Sequence, residues 1–264
     1  MRERIPVVVQ GRRARVRGRV AHGLWVSAEA VVTIGVVVLL LVVHQLWWTN
    51  RQAREGAERK VQALEREWVE PGGSAPVEQP DVEPSAVAEE AEESEPRDER
   101  AGPSGTARQP EPPRWDQAYA VLRIPRLGVV APVAQGIGKK GVLDKGYIGH
   151  YPQTAQPGQA GNFAVAGHRN THGEPFRYIN RLRAGDEVTV ETRDGVYLYE
   201  VDKGVPQTSA RDTGVIAPVP RSLVKPSAGY SEPGYYLTLT TCTPEYSSRY
   251  RLVVWAKLAS MKPR

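Results

Sequence analysis

An apolar run near the N-terminus decides how this chain can be organised. The twenty residues 24–43 contain one charged side chain, Glu29. A helix of that length rises about 30 Å, which is the thickness of the hydrocarbon core of a bilayer. Trp47 and Trp48 follow where an interfacial aromatic belt would lie. The run therefore predicts a single-pass transmembrane anchor over residues 24–48.

The charge on the N-terminal side of this run predicts its orientation. Residues 1–23 carry seven arginines against one acid, Glu3. Arginine-rich flanks stay in the cytoplasm, so residues 1–23 are predicted to be a cytoplasmic N-terminus and the chain after residue 50 to lie outside the cell membrane. The alternative is a cleaved signal peptide, which has a shorter apolar core and a small-residue cleavage site. Because this run ends in HQLWWTNRQ, we prefer the uncleaved anchor.

The region 49–114 is predicted to hold a juxtamembrane helix followed by a linker. Residues 51–69 alternate charges among helix formers, which favours a short surface helix. Residues 70–113 carry twelve acids against three arginines and are rich in Pro, Ser, Ala and Gly. Such a segment buries too little apolar surface to offset the entropy of ordering, so we expect a disordered, extended tether.

The net charge of +5 does not indicate a nucleic-acid partner. The arginines that dominate it flank the apolar run, and a membrane-orienting role is sufficient to explain them. The sequence has no zinc-finger spacing, no basic helix interleaved with aromatic residues and no P-loop. No nucleic-acid partner is therefore predicted.

Residues 115–264 are predicted to form one extracytoplasmic all-β domain. Short apolar runs are broken by Gly and Pro, a pattern typical of a sandwich or a closed barrel. An Asp-Gly turn at residues 193–195 indicates a hairpin, and a short helix is expected at 175–182. The expected strands are 118–124, 129–135, 162–168, 186–192, 196–205, 235–242 and 249–258.

Cys242, the one cysteine of the chain, closes the segment YYLTLTTC. Side chains alternate between the faces of a strand, so Leu237 and Leu239 are expected to face the core while Thr240 and Cys242 face away from it. A lone accessible thiol outside the cell suggests a nucleophile. A buried inert thiol and an intermolecular disulfide remain as alternatives.

The same alternation places His168 on the non-core face at the end of the strand GNFAVAGH. Ala164 and Ala166 precede it on that face. Their small side chains would leave a shallow trough in which an extended peptide could lie. A histidine near the thiol could act as its acid or base.

The last strand, RYRLVVWAKL, places Arg249 and Arg251 together on a non-core face. An arginine beside a reacting carbonyl can stabilise the developing oxyanion. Two solvated surface arginines are the plainer interpretation of the pattern alone.

The other histidines are weaker candidates, and only His172 has ligand-like spacing from His168 on one element. We therefore predict neither a metal site nor another cofactor. These weaker candidates are His22, His44, His150 and His172.

Several segments of the chain resemble the sortase family. TLTTC (238–242) matches the TLxTC signature that contains the sortase cysteine, and GNFAVAGHR (161–169) resembles the strand that ends in the catalytic histidine. RLVV (251–254) resembles the RLxV-like pattern that opens with the catalytic arginine. Similarity to class E sortases in particular lies in HQLWWTN (44–50), IPRLGVVAPVAQG (124–136) and GHYPQTAQPGQAGN (149–162).

The resemblance implies an eight-stranded sortase-type β-barrel with one or two short helices, preceded by a single transmembrane helix and a disordered linker. It implies that His168, Cys242 and Arg251 converge at one end of a peptide groove. The Cys242 thiolate would attack the Thr–Gly carbonyl of a C-terminal LAXTG- or LPXTG-like sorting signal. His168 would protonate the departing amine and Arg251 would stabilise the oxyanion.

The resemblance also implies the partners of such an enzyme. These are secreted proteins that bear a sorting signal and an amine on a peptidoglycan precursor, at the cell membrane of a Gram-positive type envelope. The reaction would then be transpeptidation rather than hydrolysis. The residues expected to bind the substrate are Ala164, Ala166, Thr240 and Thr241.

Other classes of protein fit the residues less well. In papain-like wall hydrolases the cysteine precedes the histidine, whereas here His168 precedes Cys242. The L,D-transpeptidases have Gly directly before the cysteine and Arg two residues after it, where this chain has Thr241 and Pro244. A non-catalytic, membrane-tethered adaptor has no reason to keep Cys, His and Arg together on non-core faces.

Overall fold

The chain is described by a computed structural model that covers residues 12–69 and 113–264. The predicted linker therefore lies, except for its last residue, outside the described residues. Residues Arg12–Val69 form one continuous helix, α1, of 58 residues. Among the described residues, α1 is the one helix long and apolar enough to cross a membrane.

The remaining described residues form a closed barrel of eight strands, which confirms the predicted fold. Around the barrel the strands run in the order β1-β2-β3-β4-β7-β8-β6-β5. The β2–β3 and β4–β7 pairs are parallel, and the others are antiparallel. The strands are β1 Ala118–Ile124, β2 Val129–Gln135, β3 Ile148–His150, β4 Gly161–Ala166, β5 Glu187–Thr192, β6 Gly195–Ser209, β7 Tyr235–Thr243 and β8 Tyr250–Pro263.

The inward face of each strand fills the barrel with apolar side chains. Phe163 and Val165 of β4 and Leu237 and Leu239 of β7 are at most 1% exposed, as the alternation of the sequence predicts. The expected hairpin turn joins β5 to β6, whose paired residues begin at Glu191 and Val196. Aliphatic packing of this kind gives the barrel a rigid rim on which a site can be built.

The short helix expected at 175–182 is shorter in the structure. The segment is a series of turns that ends in a single turn of 3-10 helix, Ile179–Arg181. Phe176 and Ile179 are spaced like one face of a helix, but both side chains are fully buried in the barrel core. Their spacing reflects the burial of both side chains in the core and not a helical face.

The prediction of a surface helix at 51–69 needs correction in one respect, because one face of this helix is buried. The segment continues the apolar part of α1 without a break. One of its faces packs on the barrel through Ala53, Ala57, Val61 and Leu64, each at most 8% exposed. Val61 and Leu64 contact the outer side chains of β1 and β2, which form a second buried cluster with Val142. The alternating charges of the segment make this apolar stripe hard to recognise in the sequence. Its members recur at intervals of four or three residues.

Candidate active site

Cys242 and Arg251 lie opposite each other on neighbouring strands. Cys242 is the next-to-last residue of β7, and its partner in the antiparallel ladder is Arg251 in β8. Residues directly opposite in such a ladder project on the same face, with their Cβ atoms about 5 Å apart. Both side chains are partly exposed, and the thiol is free. The ladder therefore brings the cysteine and the arginine to one end of the barrel.

His168 reaches the same end through the parallel pair β4–β7. Ala166 is the register partner of Thr240, and the pairing continues past it, since the Gly167 N–H donates to the Thr240 carbonyl at 3.1 Å. His168 is two residues beyond Ala166, just as Cys242 is two residues beyond Thr240. Neighbouring strands lie about 4.8 Å apart, so continuing this register sets the backbone of His168 beside that of Cys242. The three residues singled out in the sequence therefore lie at the same end of the barrel.

Asp144, which the sequence analysis missed, contacts the imidazole of His168. The distance between His168 Nε2 and Asp144 Oδ1 is 2.8 Å. Asp144 lies in a 3-10 turn, Leu143–Lys145, between β2 and β3. A carboxylate in that place accepts a hydrogen bond from the ring and orients it. A surface acid 24 residues before the histidine carries no sequence signal, and only the closed barrel brings the two together.

His172 completes a cluster with these two residues. Its Nδ1 lies 3.7 Å from Asp144 Oδ1, and its ring centroid lies 5.3 Å from that of His168. The three ligand atoms are within 4.8 Å of one another, so these residues could hold a divalent ion of the zinc type. The hydrogen bond between Asp144 and His168 accounts for the arrangement without an ion, and the absence of a metal stays a prediction.

Arg169, the residue after His168, ties the histidine loop to the cysteine strand. Its Nη1 donates to the Cys242 carbonyl at 3.2 Å and to Thr243 Oγ1 at 2.9 Å. Arg251 instead donates from Nη1 to the carbonyls of Ser248 and Tyr250, at 2.9 and 3.0 Å. Arg169 therefore binds the backbone of Cys242, and Arg251 lies next to the Cys242 side chain.

The predicted open trough is largely covered in this structure. Ala164 is fully buried, and Thr240 and Thr241 are 3% exposed, while Ala166 is partly exposed. The loop after β3 lies over this face, where the Tyr151 hydroxyl is 3.1 Å from Thr240 Oγ1. Strand alternation predicted the shared face of Ala164, Ala166 and Thr240, but it contains no information on what covers that face.

Thr241 has a structural contact. Its Oγ1 donates to the Gly167 carbonyl at 2.8 Å, and its ladder partner is Leu252, a residue of the barrel core. The hydroxyl thereby fixes the backbone just before His168. Of the four residues predicted to bind substrate, only Ala166 keeps an exposed surface in this structure.

His150 lies fully buried at the end of β3, away from this cluster. Its Nε2 is 3.2 Å from the Ala155 carbonyl, which can only accept, so Nε2 carries the proton. Nδ1 then accepts from the Tyr119 hydroxyl at 2.8 Å. Burial lowers the pKa of His150 to about 4, against the ordinary value of 6.5. The ring is therefore a neutral structural element at physiological pH.

Comparison with known proteins identifies the family to which this fold belongs. The sortase domain family matches residues 122–259. Sortase SrtE1 of Streptomyces coelicolor is 40% identical over 261 residues, which cover 96% of this chain and 62% of that relative. Sortase SrtE2 of the same organism is 31% identical over 94% of this chain and 87% of its own length. The chain therefore belongs to the sortase family of cysteine transpeptidases.

Solved structures narrow the comparison to one class within the family. The crystal structure of sortase E1 from S. coelicolor with a tripeptide in the active site is 50% identical, with a TM-score of 0.54, and covers 56% of this chain and 92% of that chain. Sortase E from Streptomyces avermitilis is 45% identical, with a TM-score of 0.50, over 57% of this chain and 93% of that chain. The similarity is thus to class E sortases, as the motifs of the sequence indicate.

Proposed function

We propose that this chain is a membrane-anchored transpeptidase that cleaves a C-terminal LAXTG-like signal between Thr and Gly and joins the acyl group to a peptidoglycan amine. The observation that carries the proposal is the position of Cys242. It lies opposite Arg251 in the β7–β8 ladder, and His168 follows the end of β4, the parallel neighbour of β7, by two residues. A thiol, an imidazole and a guanidinium in that arrangement supply the nucleophile, the proton donor and the oxyanion partner of acyl transfer.

The acylation half of the reaction uses all three groups. The thiolate of Cys242 attacks the carbonyl carbon between Thr and Gly and forms a C–S bond, while the carbonyl electrons move onto oxygen. Arg251 stabilises that oxyanion. As the C–N bond breaks, His168 gives its proton to the departing Gly amine, which leaves a thioester on Cys242 and a neutral imidazole. Asp144 holds His168 through Nε2 at 2.8 Å during this step.

The second half reverses the proton transfer. The amine of the acceptor attacks the thioester carbonyl, and neutral His168 takes the proton that the amine loses. The C–S bond breaks, the new amide leaves and Cys242 returns as a thiolate beside protonated His168. An amine outcompetes water here only if the acceptor is held in place, since transpeptidation and hydrolysis share the same acyl-enzyme.

Specificity for Ala at the second position of the signal follows from class E similarity and has a physical basis. Ala keeps a backbone N–H that can donate to the groove, whereas Pro has none and fixes φ near −65°. An acceptor left unpaired in the groove costs about 1–3 kcal/mol, or roughly 5- to 150-fold in kcat/KM. Peptides that differ only in this residue measure the preference. Equal rates, or a faster Pro peptide, would contradict the class E signal and leave acyl transfer standing.

Mass spectrometry of the full chain in lipid nanodiscs tests the proposal directly. Incubation with a LAXTG peptide should add the acyl mass to Cys242, and a soluble amine should then release a new amide. The matched control is Cys242→Ala, which removes the only thiol of the chain and should form no adduct. A peptide that binds without forming a thioester would favour a non-catalytic adaptor. Cleavage of the peptide by Cys242→Ala would overturn the assignment of Cys242 as the nucleophile.

A further inference from the structure

The helix α1 joins the apolar segment to the barrel without a hinge. Side chains described between Leu24 and Thr49 are exposed, as expected of a segment that faces lipid. Four residues later the helix begins to bury a face against the barrel, at Ala53. The same helix therefore passes from lipid-facing to barrel-facing within about one turn, which is 5.4 Å.

The membrane-proximal end of this contact is made by Asn50, two residues after Trp48. The Gly173 N–H donates to Asn50 Oδ1 at 3.0 Å, and Asn50 Nδ2 donates to Glu174 Oε1 at 2.8 Å. Arg54, one turn further on, donates to the Gly173 carbonyl and to Glu174 Oε2, both at 3.1 Å. Four hydrogen bonds thus fasten one loop of the barrel to the point where the apolar segment ends.

The distal end of the contact lies at the other end of the barrel. The guanidinium of Arg264, the last residue, stacks over the ring of Trp68 at 4.8 Å, and Glu65 pairs with Arg123 of β1. Asn50 and Trp68 are 18 residues apart, which is about 27 Å of helix. Two contacts that far apart on one rigid helix define the direction in which the barrel points.

The loop fastened by Asn50 belongs to the active site. Gly173 directly follows His172, which lies against Asp144 and His168. Gly146, two residues after Asp144, is packed so closely that a Cβ on it would lie 2.9 Å from the Ala53 carbonyl and 3.2 Å from the His172 carbonyl. Both segments that hold the catalytic imidazole therefore touch the membrane end of α1.

We propose that the loop 170–181 rests on the lipid headgroups, so that the active-site end of the barrel faces the membrane and the chain's C-terminus points away from it. This inference rests on the proposed membrane anchoring. The chemistry of the loop suits phosphate headgroups at Arg181, whose guanidinium lies over the exposed ring of Tyr178 at 4.0 Å. Arg177 is instead paired with Glu174 and Glu245.

The partner that fits this placement is a lipid surface that presents the acceptor amine at headgroup level. An amine carried on a lipid diffuses in the plane where the thioester forms, whereas an amine in bulk solution must find the narrow space between barrel and membrane. The gain is one of effective concentration and needs no additional contact with the acceptor.

The orientation is tested by fluorescence quenching in nanodiscs. In the Cys242→Ala chain, a single cysteine replaces either Tyr178 or Ser260 and is labelled with an environment-sensitive dye. Both positions are exposed, but Ser260 lies in the C-terminal half of β8. A quencher on the lipid headgroups should reduce emission strongly at position 178 and little at 260. Equal quenching at both positions, or the reverse order, would overturn the orientation.

A seven-residue helical insertion between Trp48 and Thr49 tests the consequence for transfer. Seven residues raise the barrel by about 10 Å and rotate it by only about 20°, so the Asn50 and Arg54 contacts stay intact. Transfer to a lipid-linked amine should fall by about tenfold to a hundredfold, while transfer to a soluble amine is unchanged. The same seven residues inserted after Glu90, in the linker, serve as the control and should leave both rates unchanged.

The outcomes separate this inference from the proposed function. Acyl-enzyme formation with a soluble LAXTG peptide reports on the proposed function alone and does not depend on the height of the barrel. One outcome is that the chain with the insertion acylates normally and keeps its preference for the lipid-linked amine. That result would contradict the membrane-facing orientation and leave the enzyme assignment intact. Loss of acylation in the unmodified chain would instead remove the function itself.

Discussion

Arg249 and Arg251 differ in what they contact, since Arg251 is in β8 and Arg249 precedes the strand. Arg251 is the ladder partner of Cys242, whereas Arg249 is exposed and lies over the Tyr250 ring at 5.2 Å. Arg251→Ala should therefore lower kcat/KM by about a hundredfold or more, the scale of losing an oxyanion donor. Arg251→Lys should recover little, because one point charge replaces a fork of donors. Arg249→Ala is the matched control and should have a mild effect; a reversal of the two results in a peptide-cleavage assay would contradict the assignment.

Asp144 is a positioning residue for His168. Asp144→Asn keeps a group of the same size but replaces the carboxylate acceptor that orients the imidazole, so kcat should fall about tenfold to a hundredfold with little change in KM. Asp144→Glu should recover part of the loss. Asp144 is partly exposed at the surface, so the melting temperature should change little in either variant. A KM effect without a kcat effect would mean that the residue only shapes the loop.

The sequence predicted the positions of those site residues whose face is determined by strand alternation. It placed Cys242, His168 and Arg251 on non-core faces, and the ladders bring these faces together. It could not reveal Asp144 or Arg169, whose contacts depend on how distant loops return to the barrel rim. Nor could it reveal the cover over Thr240, because alternation describes a strand and not its surroundings.

At the scale of elements, β3 is a strand that the sequence did not predict. It has three residues, Ile148–His150, and it joins β2 in parallel and β4 in antiparallel fashion. A strand of three residues is too short to show alternation in the sequence. From the sequence alone, the buried His150 is indistinguishable from a polar loop residue. The longer strands β1 and β2 were predicted with their observed bounds, because each is an apolar run that ends at a Pro or Gly, namely Pro125, Gly128 and Gly136.

His150 should make the stability of the barrel depend on pH. Its pKa of about 4 in the folded state lies below the ordinary value of 6.5. Between pH 6.5 and 4 the unfolded chain therefore binds a proton that the folded chain does not, and stability falls by about 3 kcal/mol as the pH falls through that window. Above pH 6.5 the residue contributes no slope. Urea denaturation of the chain in detergent at several pH values should show a flatter pH slope for His150→Gln; identical slopes would contradict the assignment.

The docked part of α1 should stabilise the barrel. Leu64 is 3% exposed and lies in a cluster with Val121 of β1. Leu64→Ala removes buried methyl groups and leaves a cavity, so the free energy of unfolding should fall by about 2–4 kcal/mol. Gln62→Ala, on the exposed side of the same helix, is the control and should change it by less than about 0.5 kcal/mol. Urea denaturation that does not distinguish the two variants would mean that α1 is not docked in solution.

At the scale of the whole molecule, one helix links the proposed membrane anchor to the catalytic barrel. Helix α1 carries the arginines and the apolar run in its first part and the barrel-facing stripe in its last. The sequence predicted the order of these parts but not their rigid connection, because the apolar stripe is masked by charged neighbours. The orientation of the arginine-rich end therefore also decides on which side of the membrane the barrel works.

The topology prediction follows from that arginine-rich end. Residues 1–23 carry seven arginines and one acid, so the N-terminus should stay in the cytoplasm and the barrel should lie outside. Protease added to intact cells should remove an epitope at residue 264 while it spares an epitope at residue 1. Permeabilised cells are the control and should lose both epitopes. A C-terminal epitope that survives in intact cells would contradict the orientation, whereas soluble protein lacking the N-terminal epitope would indicate a cleaved signal peptide. In either case acyl transfer on Cys242 would still be open to test, because the thioester chemistry does not depend on the anchor.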